Sequence, residues 1–204
     1  MTGKVVLSVT MSLDGFIAGP KDDLVRLHDW IFSGRADGRG GKSDRTGGSS
    51  RSSAGDPKDA EVIDEMFRTT GAVIMGRRTY DIGEPFWGSN PPFRVPCYVL
   101  THRGQEILIR GETTFTFVTD GIESALKQAR AAARHKNVSL MGADTAQQFM
   151  KAGLLDEIQI SLVPVLLREG IRLFENVGTK QVELERERVV ESPGVTHLTF
   201  RVVK

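Results

Sequence analysis

A buried strand that ends in a glycine and runs at once into a helix leaves a chain few folds to adopt. Ala72-Val73-Ile74-Met75-Gly76-Arg77-Arg78-Thr79-Tyr80 is such a stretch. Its first four residues have the composition of a buried strand. The run stops at Gly76, and Tyr80-Asp81-Ile82 begin a helix. Backbone N–H groups and the positive helix end then meet at one spot, where Arg77 and Arg78 add fixed charge and Thr79 a hydroxyl. This predicts a phosphate site. The plain alternative is a strand–turn–helix corner with two solvated arginines.

The flanking chain repeats the pattern. Residues 4–11 are rich in β-branched residues and apolar on both faces, which suits the centre of a sheet. The loop Ser12 to Pro20 carries Leu13, Phe16 and Ile17, apolar residues that line a pocket or close over the core. Leu24, Leu27 and Ile31 have helical spacing across 24–32, with Trp30 beside them. Residues 58–70 read as an amphipathic helix with Val62, Ile63, Met66 and Phe67 inward, started by Asp56-Pro57 and ended by Gly71. Glu84 to Pro96 reads as a loop holding Phe86, Trp87 and Phe93. The strand 97–101 ends in Thr101-His102-Arg103, a second basic strand end. A strand at 114–119, a helix at 121–136 and a strand at 137–141 follow.

That last strand runs through Gly142-Ala143-Asp144-Thr145-Ala146 into a helix at 145–152, a second strand–glycine–helix corner. Asp144 is either the helix N-cap or a neighbour of a pyrophosphate lying on the N–H groups of 142–146. Residues 154–167 become a buried strand. Strands 181–191 and 195–203 close the chain, joined by the hairpin turn Ser192-Pro193-Gly194. Antiparallel terminal strands behind a run of β/α units predict an α/β domain with a mixed sheet.

At 204 residues the chain is within single-domain size, and a net charge of +1 points to no nucleic acid or membrane surface. The Gly/Ser-rich insertion 33–56 carries Arg and Lys, but Asp37, Asp44 and Asp56 are interspersed and no aromatic residue lies among them to stack a base. Within it, residues 36–43 imitate a P-loop but lack the strand before and the helix after. Cys97, the single cysteine, sits in an apolar run and reads as core. No Cys/His cluster has zinc spacing. The first residues lack a signal-peptide core and no apolar run approaches membrane-spanning length, so a cytoplasmic protein is expected.

Three segments together carry a family resemblance. Val9-Thr10-Met11-Ser12-Leu13-Asp14-Gly15-Phe16-Ile17-Ala18-Gly19 resembles the opening of the riboflavin-biosynthesis reductase domain, a relative of dihydrofolate reductase. Val73-Ile74-Met75-Gly76-Arg77-Arg78-Thr79-Tyr80 is similar to its second signature. Gly142-Ala143-Asp144-Thr145, Gly153-Leu154-Leu155-Asp156-Glu157-Ile158 and Val163-Pro164-Val165-Leu166-Leu167 are similar to its third. The resemblance implies a dihydrofolate reductase-like α/β domain, its sheet mostly parallel, that binds NADPH along the carboxyl ends of its strands. It implies that Gly76, Arg77, Arg78 and Thr79 hold the pyrophosphate and 2′-phosphate side, and that Thr101, His102 and Arg103 flank the adenosine. Gly142, Ala143, Asp144, Thr145 and Ala146 would cradle the pyrophosphate, and Thr10, Ile17 and Ala18 would border the nicotinamide. Arg77, Arg78 and Arg103 favour a dianionic 2′-phosphate, hence NADPH over NADH.

The implied activity is hydride transfer to a C=N or C=O carbon of a small heterocycle. Asp14 is the first candidate to bind or polarise that substrate and Asp29 the second, beside their ordinary roles as turn cap and solvated helix residue. Trp30, Phe86 and Trp87 are candidate walls for a planar ring, at least two of them being expected in the core. The chain departs from its relatives in two places. Met141-Gly142 stands where many have Gly-Gly, and Arg168 stands where glycine often follows Leu-Leu. A non-glycine residue in a tightly bent peptide costs about 3–4 kcal/mol, so Met141 motivates an alternative: a nucleotide-binding sensor or degenerate paralogue without turnover. A sheet with an exposed edge also suggests a homodimer.

Overall fold

The computed structural model describes residues 3–22, 26–32 and 55–204. The expected insertion falls outside these residues apart from Gly55 and Asp56, as do the P-loop-like run 36–43 and Leu24. Eleven strands are present among the described residues: β1 (Val5–Ser12), β2 (Phe16–Ala18), β3 (Thr70–Gly76), β4 (Cys97–Leu100), β5 (Leu108–Arg110), β6 (Thr113–Val118), β7 (Asn137–Met141), β8 (Glu157–Val163), β9 (Ile171–Arg172), β10 (Leu184–Glu191) and β11 (Thr196–Val202). The α-helices are α1 (Asp29–Phe32), α2 (Pro57–Thr69), α3 (Arg77–Trp87), α4 (Ile122–Ala133) and α5 (Ala143–Lys151).

Nine strands form one sheet in the order β10-β11-β8-β1-β7-β3-β4-β6-β5. The six from β8 to β6 are parallel, and β5, β11 and β10 join antiparallel at the two edges. β2 and β9 make a separate ribbon. This is the dihydrofolate reductase-like α/β architecture, with β1 near its centre between β7 and β8.

Period-2 burial explains the layers. Val5 and Leu7 of β1, Ala72 and Ile74 of β3, and Leu140 of β7 face α4 and α5, packing with Ala125, Leu126, Ala129, Ala146 and Phe149 in the main core. On the opposite face Val73, Met75, Val99 and Phe115 pack with Tyr80 of α3. Cys97 is in this cluster, fully buried and free, and burial pushes its thiol pKa up. A third small cluster joins Leu27, Trp30, Ile63, Val163 and Val195, and pins α1 and α2 to the sheet.

Several boundaries differ from the sequence reading. α2 begins as expected, with Asp56 Oδ1 accepting from the Lys58 N–H at 2.8 Å and Pro57 at the first turn. It passes directly into β3, so Gly71 lies inside the strand, where a Cβ would meet Ala133 Cα at 2.8 Å. α3 continues through Pro85 to Trp87 rather than opening into a loop. Packing outweighs the helix-breaking proline there: Trp87 stacks on Phe115, with centroids 5.7 Å apart, and meets Tyr80 and Phe93 edge-on. Before α1 the chain makes a 3-10 turn at Arg26–His28, shorter than the helix expected over 24–32. Strands β5 and β9, of three and two residues, are too short to show a period in the sequence. No helix among the described residues is long and apolar enough to cross a membrane.

Candidate active site

Paired strands set the site. Met75 of β3 lies opposite Met141 of β7 in parallel register. The next residues, Gly76 and Gly142, therefore stand side by side, and each starts a helix. Gly142 is the helix cap, with φ 89° and no side chain to cap α5. A Cβ on Gly142 would lie 2.3 Å from Thr79 Oγ1, and one on Gly76 would lie 3.2 Å from Thr145 Oγ1. Each corner's glycine thus makes room for a threonine from the other corner's helix. Thr145 is 1 % exposed, and its hydroxyl has no hydrogen-bond partner among the described residues. A buried hydroxyl without a partner costs about 1–3 kcal/mol unless a ligand meets it. With the uncapped N–H groups of α5 beside it, it fits a phosphate oxygen.

Asp144 is not the N-cap. It lies in the first turn of α5, where its Oδ2 accepts from Gln148 Nε2 at 2.9 Å. Met141 stays in β7 and packs partly buried against the α3-side cluster. Gly142, at φ 89°, makes the turn out of the strand that Met141 ends.

A cleft of about 1430 Å³ runs from this edge along the α2 side of the sheet. Gly76, Arg77, Arg78, Thr79, Gly142, Ala143, Asp144 and Thr145 line it, as do Thr101, His102, Arg103, Thr10, Ile17 and Ala18. Ala146 does not. It is fully buried in the main core, one helical position too far round to face the edge. Arg77 is held ready: its Nε donates to Asp81 at 2.7 Å and its Nη1 to Gln105 at 2.7 Å, and the guanidinium lies over Tyr80 and Phe117. Thr101 Oγ1 accepts from the Arg103 N–H at 3.1 Å, a small turn that leaves His102 and Arg103 exposed at the strand end.

Asp14 and Asp29 do not line the cleft. Asp14 ties two loops together, accepting from Ser12 Oγ at 2.6 Å, the Arg168 N–H at 2.7 Å and the Leu167 N–H at 3.1 Å. The Ser12 hydroxyl first, with the two backbone N–H groups, holds its carboxyl at about 2, below the ordinary 3.8. Such a group is ionised at neutral pH and is no proton donor. Asp29 is exposed at the start of α1. Arg168 has φ 68°, the left-handed region glycine prefers. Of the aromatic candidates, Trp30 and Trp87 both border the cleft while packing in their clusters, and Phe86 is 65 % exposed.

The residues missed from sequence lie under α2. There the sheet presents Ser8 of β1, Gln159 and Ser161 of β8, and His197 and Thr199 of β11 to the cleft, beside the expected Thr10. A sheet face beneath a helix is ordinarily apolar. This one is polar, and α2 covers it loosely with Val62 and Met66, while Phe67 stays 43 % exposed. Asp59 of α2 is buried with its Oδ1 2.9 Å from His197 Nε2, and His197 Nδ1 is 2.9 Å from Ser161 Oγ. The sequence signal was polar residues alternating within the strands 4–11, 154–167 and 195–203.

Comparison with known proteins gives the family and the fold. The profile of the RibD C-terminal domain matches residues 3–198. The chain belongs to the RibD C-terminal domain family. This is a family of NAD(P)H-dependent reductases. This RibD C-terminal domain is 29 % identical over 194 residues to the uncharacterized protein YwjB of Bacillus subtilis (strain 168), covering 89 % of this chain and 93 % of that one. Its fold matches a candidate riboflavin biosynthesis protein from Shewanella sp. PV-4 at TM-score 0.71 and 20 % identity, over 98 % of this chain and 99 % of that one. It also matches dihydrofolate reductase from Enterococcus faecalis, solved with NADP(H), at TM-score 0.60 and 13 % identity, over 100 % and 99 % of the two chains. The diaminohydroxyphosphoribosylaminopyrimidine deaminase/5-amino-6-(5-phosphoribosylamino)uracil reductase of Thermotoga maritima matches at TM-score 0.65 and 13 % identity. That match covers 99 % of this chain and 57 % of that one.

Proposed function

We propose that this protein is an NADPH-dependent reductase of a small planar heterocycle. The observation that carries the reading is the pair of glycine corners at the ends of β3 and β7, with the partnerless hydroxyl of Thr145 between them. Bound there, the cofactor would supply a hydride. Gly142, Ala143 and Thr145 would hold the pyrophosphate, and Arg77, Arg78 and Arg103 the 2′-phosphate side. Thr10, Ile17 and Ala18, at the meeting point of the two halves of the cleft, would border the nicotinamide.

The half of the cleft beneath α2 suits the substrate. A planar ring placed there would set its polar edge on Ser8, Thr10, Gln159 and Ser161 and its faces against Trp30, Val62 and Met66. Folate-like and aminouracil rings, the classes named for two structural neighbours, are the first probes. Met141 motivated a non-catalytic reading, but its unstrained place in β7 gives that reading no support.

Both tryptophans border the cleft, so their fluorescence reports binding. NADPH is expected to quench it with a micromolar dissociation constant and NADH to bind at least about tenfold more weakly, the difference a charge-assisted phosphate contact supplies. The Arg77→Ala/Arg78→Ala variant should lose most of that preference. Absence of quenching by either nucleotide would sink the reductase reading.

A further inference from the structure

We propose that Ser161, His197 and Asp59 form a proton relay serving the substrate half of the cleft. Ser161 is the catalytic residue that meets the substrate, and Asp59 is the residue that positions His197. The proposal rests on the reductase reading above.

The side chains of His197 and Asp59 are 7 % and 4 % exposed. Burying an ionisable pair this deeply costs several kcal/mol of desolvation that apolar side chains would not incur, so packing alone does not explain it. The imidazole is fixed from three elements. Asp59 in the first turn of α2 meets Nε2, Ser161 of β8 meets Nδ1, and Trp30 of α1 sets its ring edge-on at 5.0 Å. Other charged groups along this face form their own contacts, Lys4 with Glu157 at 2.6 Å and with Glu187 at 3.8 Å, Arg188 with Glu65 at 2.5 Å and Lys58 with the Glu191 carbonyl at 3.1 Å, and His28 lines the same cleft. Among the described residues Asp59 is the carboxylate bonded to the ring.

In the relay Asp59 is a carboxylate, which only accepts, and Nε2 carries a hydrogen and donates it to Oδ1. The variable nitrogen is Nδ1. When it is bare, the Ser161 hydroxyl donates to it and shows the cleft a lone pair. When it is protonated, Nδ1 donates to Ser161 and the hydroxyl is free to donate into the cleft. Ser161 lies opposite Thr10 in the β1–β8 register, where the substrate and cofactor halves meet. It is therefore placed to complete a reduction. NADPH, where bound, would supply hydride to the carbon of the C=N or C=O bond and leave the π electron pair on the nitrogen or oxygen. Ser161 gives its proton to that atom and takes the Nδ1 proton of His197. His197 becomes neutral, keeps its Nε2 hydrogen on Asp59, and regains its Nδ1 proton from solvent. The sum is substrate, NADPH and one proton giving reduced substrate and NADP⁺.

Two-bond ¹H–¹⁵N spectra of histidine-labelled protein, with His197→Gln for assignment, read both ring nitrogens. In protein saturated with NADP⁺, Nε2 is expected to carry a slowly exchanging hydrogen, retained in Ser161→Ala and lost in Asp59→Asn. Adding dihydrofolate or 5-aminouracil should shift Nδ1 in the wild type and leave it unmoved in Ser161→Ala. With whichever probe is reduced, both variants should lower kcat at least about tenfold, with KM within about twofold. A bare Nε2, an Nδ1 that neither probe moves, or an unchanged kcat in both variants would overturn the relay. If neither probe is reduced, the Nδ1 shift decides. Tryptophan quenching by NADPH on the same proteins separates the two readings. A wild type that fails to bind NADPH counts against the reductase. Variants that bind it normally yet lose kcat place the loss in the relay.

Discussion

Asp14 and Gly142 show how one residue's surroundings choose its role. Asp14 is spent on Ser12, Leu167 and Arg168, which hold the loop after β1 against the segment after β8. Its carboxyl lies at about 2 in the fold against an ordinary 3.8. Folded-state depression means the stabilisation is complete above the ordinary value and is lost as pH falls through the folded one. Asp14→Asn is therefore expected to lower the melting temperature at pH 7, with the deficit vanishing between pH 4 and 2 in melts across that range. Gly142 is chosen by both φ and space. Gly142→Ala should destabilise by about 1–3 kcal/mol in urea unfolding and weaken NADPH binding at least about tenfold. The nearest atom to the new Cβ is Thr79 Oγ1. Adding Thr79→Ala should therefore recover about 1 kcal/mol, seen as coupling in a double-mutant cycle.

Among the elements, α2 differs from its neighbours. α4 and α5 are sealed onto the sheet by the main core, whereas α2 is anchored by Ile63 in the small cluster with Leu27, Trp30, Val163 and Val195. That light anchorage leaves room for a cleft under a helix. Ile63→Ala is expected to cost about 2–3 kcal/mol by chemical denaturation, the low end for such a truncation because the cluster is small. NADPH affinity should stay within about twofold, since the two glycine corners belong to β3, α3, β7 and α5. A large loss of NADPH affinity would show that α2 supports both halves of the cleft.

For the whole molecule, a ligand spanning the edge of β3 and β7 ties together two helices on opposite faces of the sheet. Such a ligand stabilises the folded state by mass action, about 2.7 kcal/mol at a hundred times its dissociation constant. For a domain of this size that is roughly 5–10 °C in melting temperature. Differential scanning fluorimetry should show that rise with NADPH. NADH at the same concentration should give a much smaller one.

Local chemistry was legible in the sequence wherever neighbours in the chain make the feature. The strand–glycine–helix corners, the Asp56-Pro57 start of α2, the buried Cys97 and the terminal hairpin all depend on residues a few positions apart, and the parallel α/β class follows from their alternation. The tertiary structure alone decided what depends on register between distant strands. Pairing of Met75 with Met141 set the two corners side by side, and packing of Trp87 on Phe115 carried α3 past Pro85. The meeting of Asp59, Ser161 and His197 needs α2, β8 and β11 brought together across 138 positions of chain. No periodicity encodes that meeting, because it is fixed by the order of strands in the sheet.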